Sequence, residues 1–310
     1  MNTHQKGIHH ITAISGDAQR NAEFYVRTLG MRLVKKSVNQ DDPGTYHLFY
    51  GNANGSPGSG LTFFPWEMAS QGKPGLGEAV KVALAVPSGS MDYWAEHFGK
   101  EEVDFDGPYD RFGQQAIGFK DPDLMMLELV FDEQADQLRG WDRGSVPAEY
   151  GIRGFRGTTL RLKEHEATGE VLKTLFEFEE TGRQENRWHY TTDAPIGGSV
   201  IIEEGESKPS ANGRGTIHHV AFRAADDEEL NELREKVIKM GLNPSQVIDR
   251  HWFHSVYFSS PGGVLFEIAT DGPGYDVDED PEKLGQKLIL PPWLEPKREM
   301  IEKQLPEINV

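Results

Sequence analysis

The chain has 310 residues, 37% hydrophobic and 10% aromatic, apolar material enough for one large or two ordinary domains. Its 50 Asp and Glu against 32 Lys and Arg leave a net charge of −18. Such a surface repels phosphate backbones and anionic lipid, so neither nucleic acid nor membrane is an expected partner. Cysteine is absent, which removes disulfides, zinc ribbons, iron–sulfur clusters and thiol nucleophiles. The opening MNTHQKGIHHITAISG has no positive segment leading into an apolar run. No stretch approaches the roughly 20 apolar residues of a membrane span, and the expectation is a cytoplasmic protein.

In chain order, four stretches share one rhythm: an apolar strand, an amphipathic helix, then three short strands. The first starts at Gly7–Ala13, with a helix expected over Ala18 to Leu29 and strands near Arg32–Val38, Tyr46–Tyr50 and Gly60–Phe64. The second opens at Val80–Val86, has a helix from near Ser90 to His97, and closes at Met125–Val130. The third opens at Thr158–Leu162 and ends near Val200–Ile202. The fourth opens at Thr216–Phe222 and continues with a helix over Glu228–Met240. Asp226 and Asp227 lie near the start of that helix and Gly241 just beyond its end; the stretch closes at Val264–Ala269. Two echoes support a repeat. Ile8-His9-His10-Ile11 returns as Ile217-His218-His219-Val220, and Pro122–Glu128 returns as Pro261–Glu267. The expected architecture is α+β: four βαβββ modules forming two open mixed-sheet barrels. The expected boundaries are 1–132 for the first pair of modules (7–66 and 79–132), 133–151 for a linker, 152–270 for the second pair and 271–310 for a C-terminal extension.

Successive strand residues point to opposite faces, which sorts the polar residues. His218, Val220 and Phe222 share the helix-facing side of their strand, so His219 points into the space the sheet encloses. The same alternation puts His9, Ile11 and Ala13 under the helix, with His10 and Thr12 on the enclosed side. Glu267 opposes Val264, Phe266 and Ile268 and joins the enclosed side. Two imidazoles and one carboxylate make the set that holds Fe(II), or Mn(II), on one face and leaves open positions. Only pairing module 1 with module 4 assembles all three. Modules 1 and 2 would offer His10 and Glu128 with Val82 near the missing place; modules 3 and 4 would offer His219 and Glu267 with Gly157 or Thr158 there. Glu128 is therefore expected to be a surface or structural carboxylate. The strand region GNANGSPGSGLTFFPW contains no Asp, Glu or His, so a fourth protein ligand is not expected. Tyr257 falls on the enclosed face, either to hydrogen-bond a substrate or as a core tyrosine; Arg250 precedes its strand, either to hold an oxygen anion or to form a surface salt bridge. His47, His251 and His254 carry no assignment.

With these residues in place the chain resembles the vicinal oxygen chelate superfamily, and within it the branch of hydroquinone ring-cleaving dioxygenases. The likeness runs through GIHHITAISGDAQRNAEFYVRTLGMRLVKKSVN, YHLFYGNANGSPGSGLTFFPW and RFGQQAIGFKDPD. It continues in GTIHHVAF, SSPGGVLFEIATDGPGYDVDEDPEKLG and LPPWLEPKREMIEKQLP. The resemblance implies metal ligation by His10, His219 and Glu267, and outer contacts at His9, Thr12, His218, Arg250 and Tyr257. For His9 and His218, which alternation places on the far side, such contacts require a twist, a bulge or a bridging water. The expected activity is Fe(II)-dependent, extradiol-type cleavage of a hydroquinone-type or catechol-type ring with O₂. The partners would be a small aromatic substrate and O₂, and a homo-oligomer is compatible with the sequence. Two rivals are a glyoxalase-like metal-dependent isomerase or transferase that needs no O₂, and a protein that binds an aromatic without turnover.

Overall fold

The computed structural model describes residues 6–206 and 208–310. Module 1 contributes β1 (Ile8–Ser15), α1 (Ala18–Glu23), β2 (Arg32–Val38), β3 (Tyr46–Gly51) and β4 (Gly60–Pro65). Module 2 contributes β5 (Glu78–Pro87), α2 (Met91–Lys100), β6 (Phe105–Arg111), β7 (Gln114–Lys120) and β8 (Met126–Asp132). Module 3 has β9 (Gly154–Leu162), α3 (Glu166–Phe176), β10 (Glu179–Gln184), β11 (Arg187–Thr191) and β12 (Ser199–Glu204). Module 4 has β13 (Thr216–Ala224), α4 (Asp227–Lys239), β14 (Ile248–Asp249), β15 (Phe253–Ser259) and β16 (Leu265–Pro273). A short α5 (Arg298–Glu302) lies in the C-terminal extension. The helix expected from Ala18 to Leu29 divides: α1 ends at Glu23 and a π-helical turn, Phe24–Thr28, completes it.

The strands form two open, curled mixed sheets of eight. One has the order β14-β15-β16-β13-β1-β4-β3-β2, joining module 4 to module 1; the other, β10-β11-β12-β9-β5-β8-β7-β6, joins module 3 to module 2. Modules 1 and 4 thus pair, as the ligand argument requires, across the antiparallel β1–β13 seam. The convex faces and the helices share one core. Ile11 and Ala13 of β1, Val220 and Phe222 of β13, and Val264, Phe266 and Ile268 in or beside β16 pack there with Trp94, Leu172, Phe176 and Leu230 of the helices. Each helix buries its apolar stripe in this layer. Asp226 caps α4 by accepting from the Glu229 amide, worth about 1 kcal/mol. A second cluster fills one end of the concave side of the β1/β13 sheet, where Val34, Phe49, Ala221 and Ala269 meet Trp252, Phe253, Tyr275 and Leu284.

At the central seam of each sheet alternation fails at two places. The β1–β13 register slips between Ile8 and His10 and again at His219, leaving His9 and His218 as the extra residues of two β-bulges. The β5–β9 seam slips likewise at Val80 and Arg156. Counted through the bulge, the position in β5 that matches a ligand histidine is Lys81, not Val82. Gly157 does stand at the other matching position. An added Cβ there would lie 1.8 Å from the Ser199 carbonyl oxygen, so a histidine cannot enter without moving the strand.

Candidate metal centre

β1, β13 and β16 run side by side and deliver His10, His219 and Glu267 to one point on the concave face. All three are buried, Glu267 completely. His219 Nε2 lies 2.9 Å and His10 Nε2 3.2 Å from Glu267 Oε2, and the two Nε2 atoms are 3.3 Å apart. With metal–ligand bonds of roughly 2.1 Å, neighbouring corners of an octahedron are about 3.0 Å apart. The observed triangle therefore matches one octahedral face. Although two imidazole nitrogens are close, Glu267 Oε2 accepts no hydrogen bond of good geometry from any described residue. With both imidazoles protonated at Nδ1, three lone-pair atoms converge, which is a donor set for a cation.

The bulges explain the histidine pairs. His9 Nδ1 lies 2.9 Å from His10 Nδ1, and His218 Nδ1 lies 2.8 Å from His219 Nδ1. If each ligand histidine donates from Nδ1 to its neighbour, it presents a bare lone pair at Nε2. His9 and His218 are thus not under the helices; the extra residue swings each ring round to touch its neighbour. Burial pushes the His9 pKa well below normal, and the His218 pKa to about 4, so both stay neutral acceptors. Burial also lowers His219. For Glu267, burial works in the opposite direction, yet the His10 and His219 imidazoles outweigh it and hold the carboxyl well below its usual range. Metal ligation needs an ionised carboxylate and neutral imidazoles; the depressed Glu267 pKa favours the first and the burial of His219 favours the second. Ser255 donates from Oγ to Glu267 Oε1, fixing the carboxylate and leaving Oε2 free for the centre.

Thr62 pairs with Thr12 as Glu267 pairs with Ala221, so Thr62 occupies the place of a fourth ligand. Its hydroxyl lies 2.8 Å from Thr12 Oγ1 and 2.9 Å from His47 Nε2. A neutral hydroxyl is a weak ligand, and here it serves to orient His47. Thr12 is buried behind that imidazole. Burial, then the neighbouring His10, push His47 well below the usual pKa.

A narrow cleft of about 40 Å³ opens on His10 and His219 between Asn39–Asp41, His47, Phe49, Phe64, Trp252 and Phe253, with Arg250 and Tyr257 in its wall. The Arg250 guanidinium lies 5.5 Å from the Tyr257 ring centre and pairs with Asp41 at 3.1 Å. Burial, with Glu267 nearby, raises the Tyr257 pKa, so its phenol stays protonated. His251 and His254 are turned toward Asp278 and Asp227 instead. His47 and Ser255 are the site residues that sequence reasoning left unassigned. Strand alternation from Phe49 and Tyr257 would have put both on the concave face. A larger cleft, about 710 Å³, lies beside Phe24, Lys81, Tyr109 and Met126. It contains no cluster of metal-ligating side chains among the described residues.

The companion sheet shows what replaces the triad. Glu128 stands opposite Ala83 as Glu267 stands opposite Ala221. Glu128 is buried, and its oxygens meet Lys81 Nζ at 2.7 Å, the Tyr109 hydroxyl at 2.8 Å and Arg111 Nε at 3.0 Å. An ammonium and a guanidinium there supply the positive charge.

The chain belongs to the Glyoxalase/Bleomycin resistance protein/Dioxygenase superfamily, whose family model matches residues 7–129 and 160–268. Within it, the full-length relatives are ring-cleaving dioxygenases, and the chain is an enzyme of that group. A Bacillus subtilis protein named as a ring-cleaving dioxygenase, MhqO, is 40% identical over 302 residues, 96% of this chain and 95% of that one. The chlorohydroquinone/hydroquinone 1,2-dioxygenase of Sphingobium indicum is 36% identical, covering 94% of this chain and 92% of its own. The crystal structure of a Bacillus subtilis protein named as a dioxygenase superposes with a TM-score of 0.95 at 39% identity, covering 99% and 98% of the two chains. Glyoxalase I from Zea mays, at 16% identity and a TM-score of 0.62 over 86% of this chain and 92% of its own, shares the fold.

Proposed function

We propose that the protein is an Fe(II)-dependent dioxygenase that opens a hydroquinone-type or catechol-type ring with O₂. The observation that carries this reading is the octahedral face formed by His10, His219 and Glu267, with no fourth ligand beside it among the described residues. A structural metal would be closed off; here one side gives onto a cleft walled by Phe49, Phe64, Trp252 and Phe253. Fe(II) on these three ligands would leave positions for a phenolate oxygen and O₂ and would carry charge between them. Mn(II) fits the same donors. The relatives' names favour a hydroquinone-type ring.

The chain's own groups handle binding and protons. The aromatic walls grip the ring faces and exclude water. His47, neutral and held at Nε2 by Thr62, is placed to accept the proton that a substrate hydroxyl loses. Tyr257 is a protonated donor, and Arg250 beside it supplies fixed positive charge toward oxygen anions. His9 and His218 act through His10 and His219, fixing ring orientation and tautomer. Protein loaded with Fe(II) under argon and then given O₂ should consume O₂ across a panel of hydroquinones and catechols, with one class preferred. Equal conversion under argon would instead favour the isomerase reading.

A further inference from the structure

The C-terminal extension sends Tyr275 and Leu284 into the concave interior of the metal sheet. Tyr275 packs against Phe49, with ring centres 5.3 Å apart, and stands in the cluster of Val34, Trp252 and Leu284. The segment is held firmly. Lys35, wholly buried, pairs with Asp278 at 2.6 Å and Glu279 at 2.5 Å. Trp252 donates from Nε1 to Asp278 Oδ2 at 2.9 Å, and the Gly274 amide donates to the Trp252 carbonyl at 2.9 Å. Tyr275 is only 7% exposed, and its hydroxyl has no hydrogen-bond partner.

The direction of that hydroxyl is informative. It stands over Gly60, the residue opposite His10 in the β1–β4 ladder. A Cβ at Gly60 would lie 3.7 Å from the Tyr275 oxygen and 3.2 Å from His10 Cβ. Burial, and after it the Glu267 carboxylate, raises the Tyr275 pKa, so the phenol is a donor at working pH. A buried hydroxyl without an acceptor costs stability and calls for a reason. Nearby hydroxyls in the same interior do find partners: Thr12 pairs with Thr62, and Ser255 with Glu267.

We propose that Tyr275 is a further positioning residue of the centre, its phenol donating a hydrogen bond to an oxygen held at the metal, whether water or a substrate phenolate. The extension is then part of the site as well as a strap. This inference rests on the metal reading of His10, His219 and Glu267. It does not depend on which reaction follows.

The test compares wild type with Tyr275→Phe, which keeps the ring and its packing. Metal-free Y275F should melt at the same temperature as wild type or higher, since it sheds an unpartnered hydroxyl. Loaded with Co(II), both proteins should bind the metal equally. The visible spectrum of the Y275F cobalt protein should titrate at higher pH, because a metal-bound hydroxide has lost a donor. With Fe(II), kcat on a hydroquinone should fall about tenfold, the effect of one hydrogen bond to a charged oxygen. A lower melting temperature with an unchanged cobalt titration would make the hydroxyl structural and overturn the proposal. Wild-type protein that takes up no cobalt overturns both this and the metal reading. A shifted cobalt titration in a protein that opens no ring upholds Tyr275 and removes the dioxygenase reading alone.

Discussion

Each of the three convergent side chains is supported by a different neighbour, and that division makes single substitutions informative. Replacing His10, His219 or Glu267 by Ala should lower bound Fe(II) by more than about tenfold, read as metal per chain. Circular dichroism should remain that of a folded protein, since the helix layer does not touch the ion. Undiminished metal in all three variants would remove the assignment. Glu78 offers a second residue-scale test, away from the centre. It is buried, neither oxygen has a hydrogen-bond partner of good geometry, and burial raises its pKa to about 7. The folded protein keeps this proton when the unfolded chain has lost it. Its contribution is therefore complete at pH below the ordinary Glu value and disappears as pH rises through about 7, by up to about 3 kcal/mol. Glu78→Gln should flatten the pH dependence of denaturant stability between about pH 4.5 and 7 and raise stability at pH 8. A residual slope of the same sign should persist from Asp121, whose pKa burial also raises to about 7. An unchanged slope in E78Q would contradict the account of Glu78.

At the scale of the element, the informative comparison is between two sheets built on one plan. In one, Glu267 meets two imidazoles; in the other, Glu128 meets Lys81 and Arg111. For Glu128, burial opposes ionisation, but Arg111 and Lys81 prevail and lower its pKa. Arg111→Met should therefore destabilise the protein by about 3 kcal/mol, because a buried carboxylate loses a partner. R111M combined with Glu128→Gln should cost clearly less, and neither should alter metal content. Equal losses in the single and double variants would mean that the pair is not the keystone described. Much of this plan was legible in the sequence. Period-two alternation and the doubled Ile-His-His sequence located the modules, the three convergent residues and the pairing of module 1 with module 4. The bulges at His9 and His218 were not legible, because a bulge is set by how two distant strands meet at a seam. The same omission put Val82 where Lys81 belongs and left His9 under a helix. Tyr275 lay beyond reach for a related reason: nothing local in Gly-Pro-Gly-Tyr-Asp-Val indicates that the extension folds back into module 1.

For the whole molecule, the topology makes the centre a joint product of the two chain ends. His10 and His219 are 209 residues apart, yet β1 and β13 are neighbours. The segment after module 1 also bridges the one after module 3, at Gln71 with Arg214, Lys73 with Ala211 and Leu76 with Pro209. A chain cut within residues 133–151 should yield halves that each fail to bind Fe(II) tightly, with binding regained on mixing. Stoichiometric iron in the C-terminal half alone would exclude His10 as a ligand. No helix among the described residues is long and apolar enough to cross a membrane, and all of this chemistry is read from the two sheets. The most direct test of the central claim follows the oxygen atoms. Fe(II)-loaded protein should be given a hydroquinone under ¹⁸O₂ and the ring-opened product weighed by mass spectrometry. The account predicts that both labelled atoms enter one product molecule and that O₂ and substrate disappear in equal amounts; a product formed at the same rate without label would contradict it.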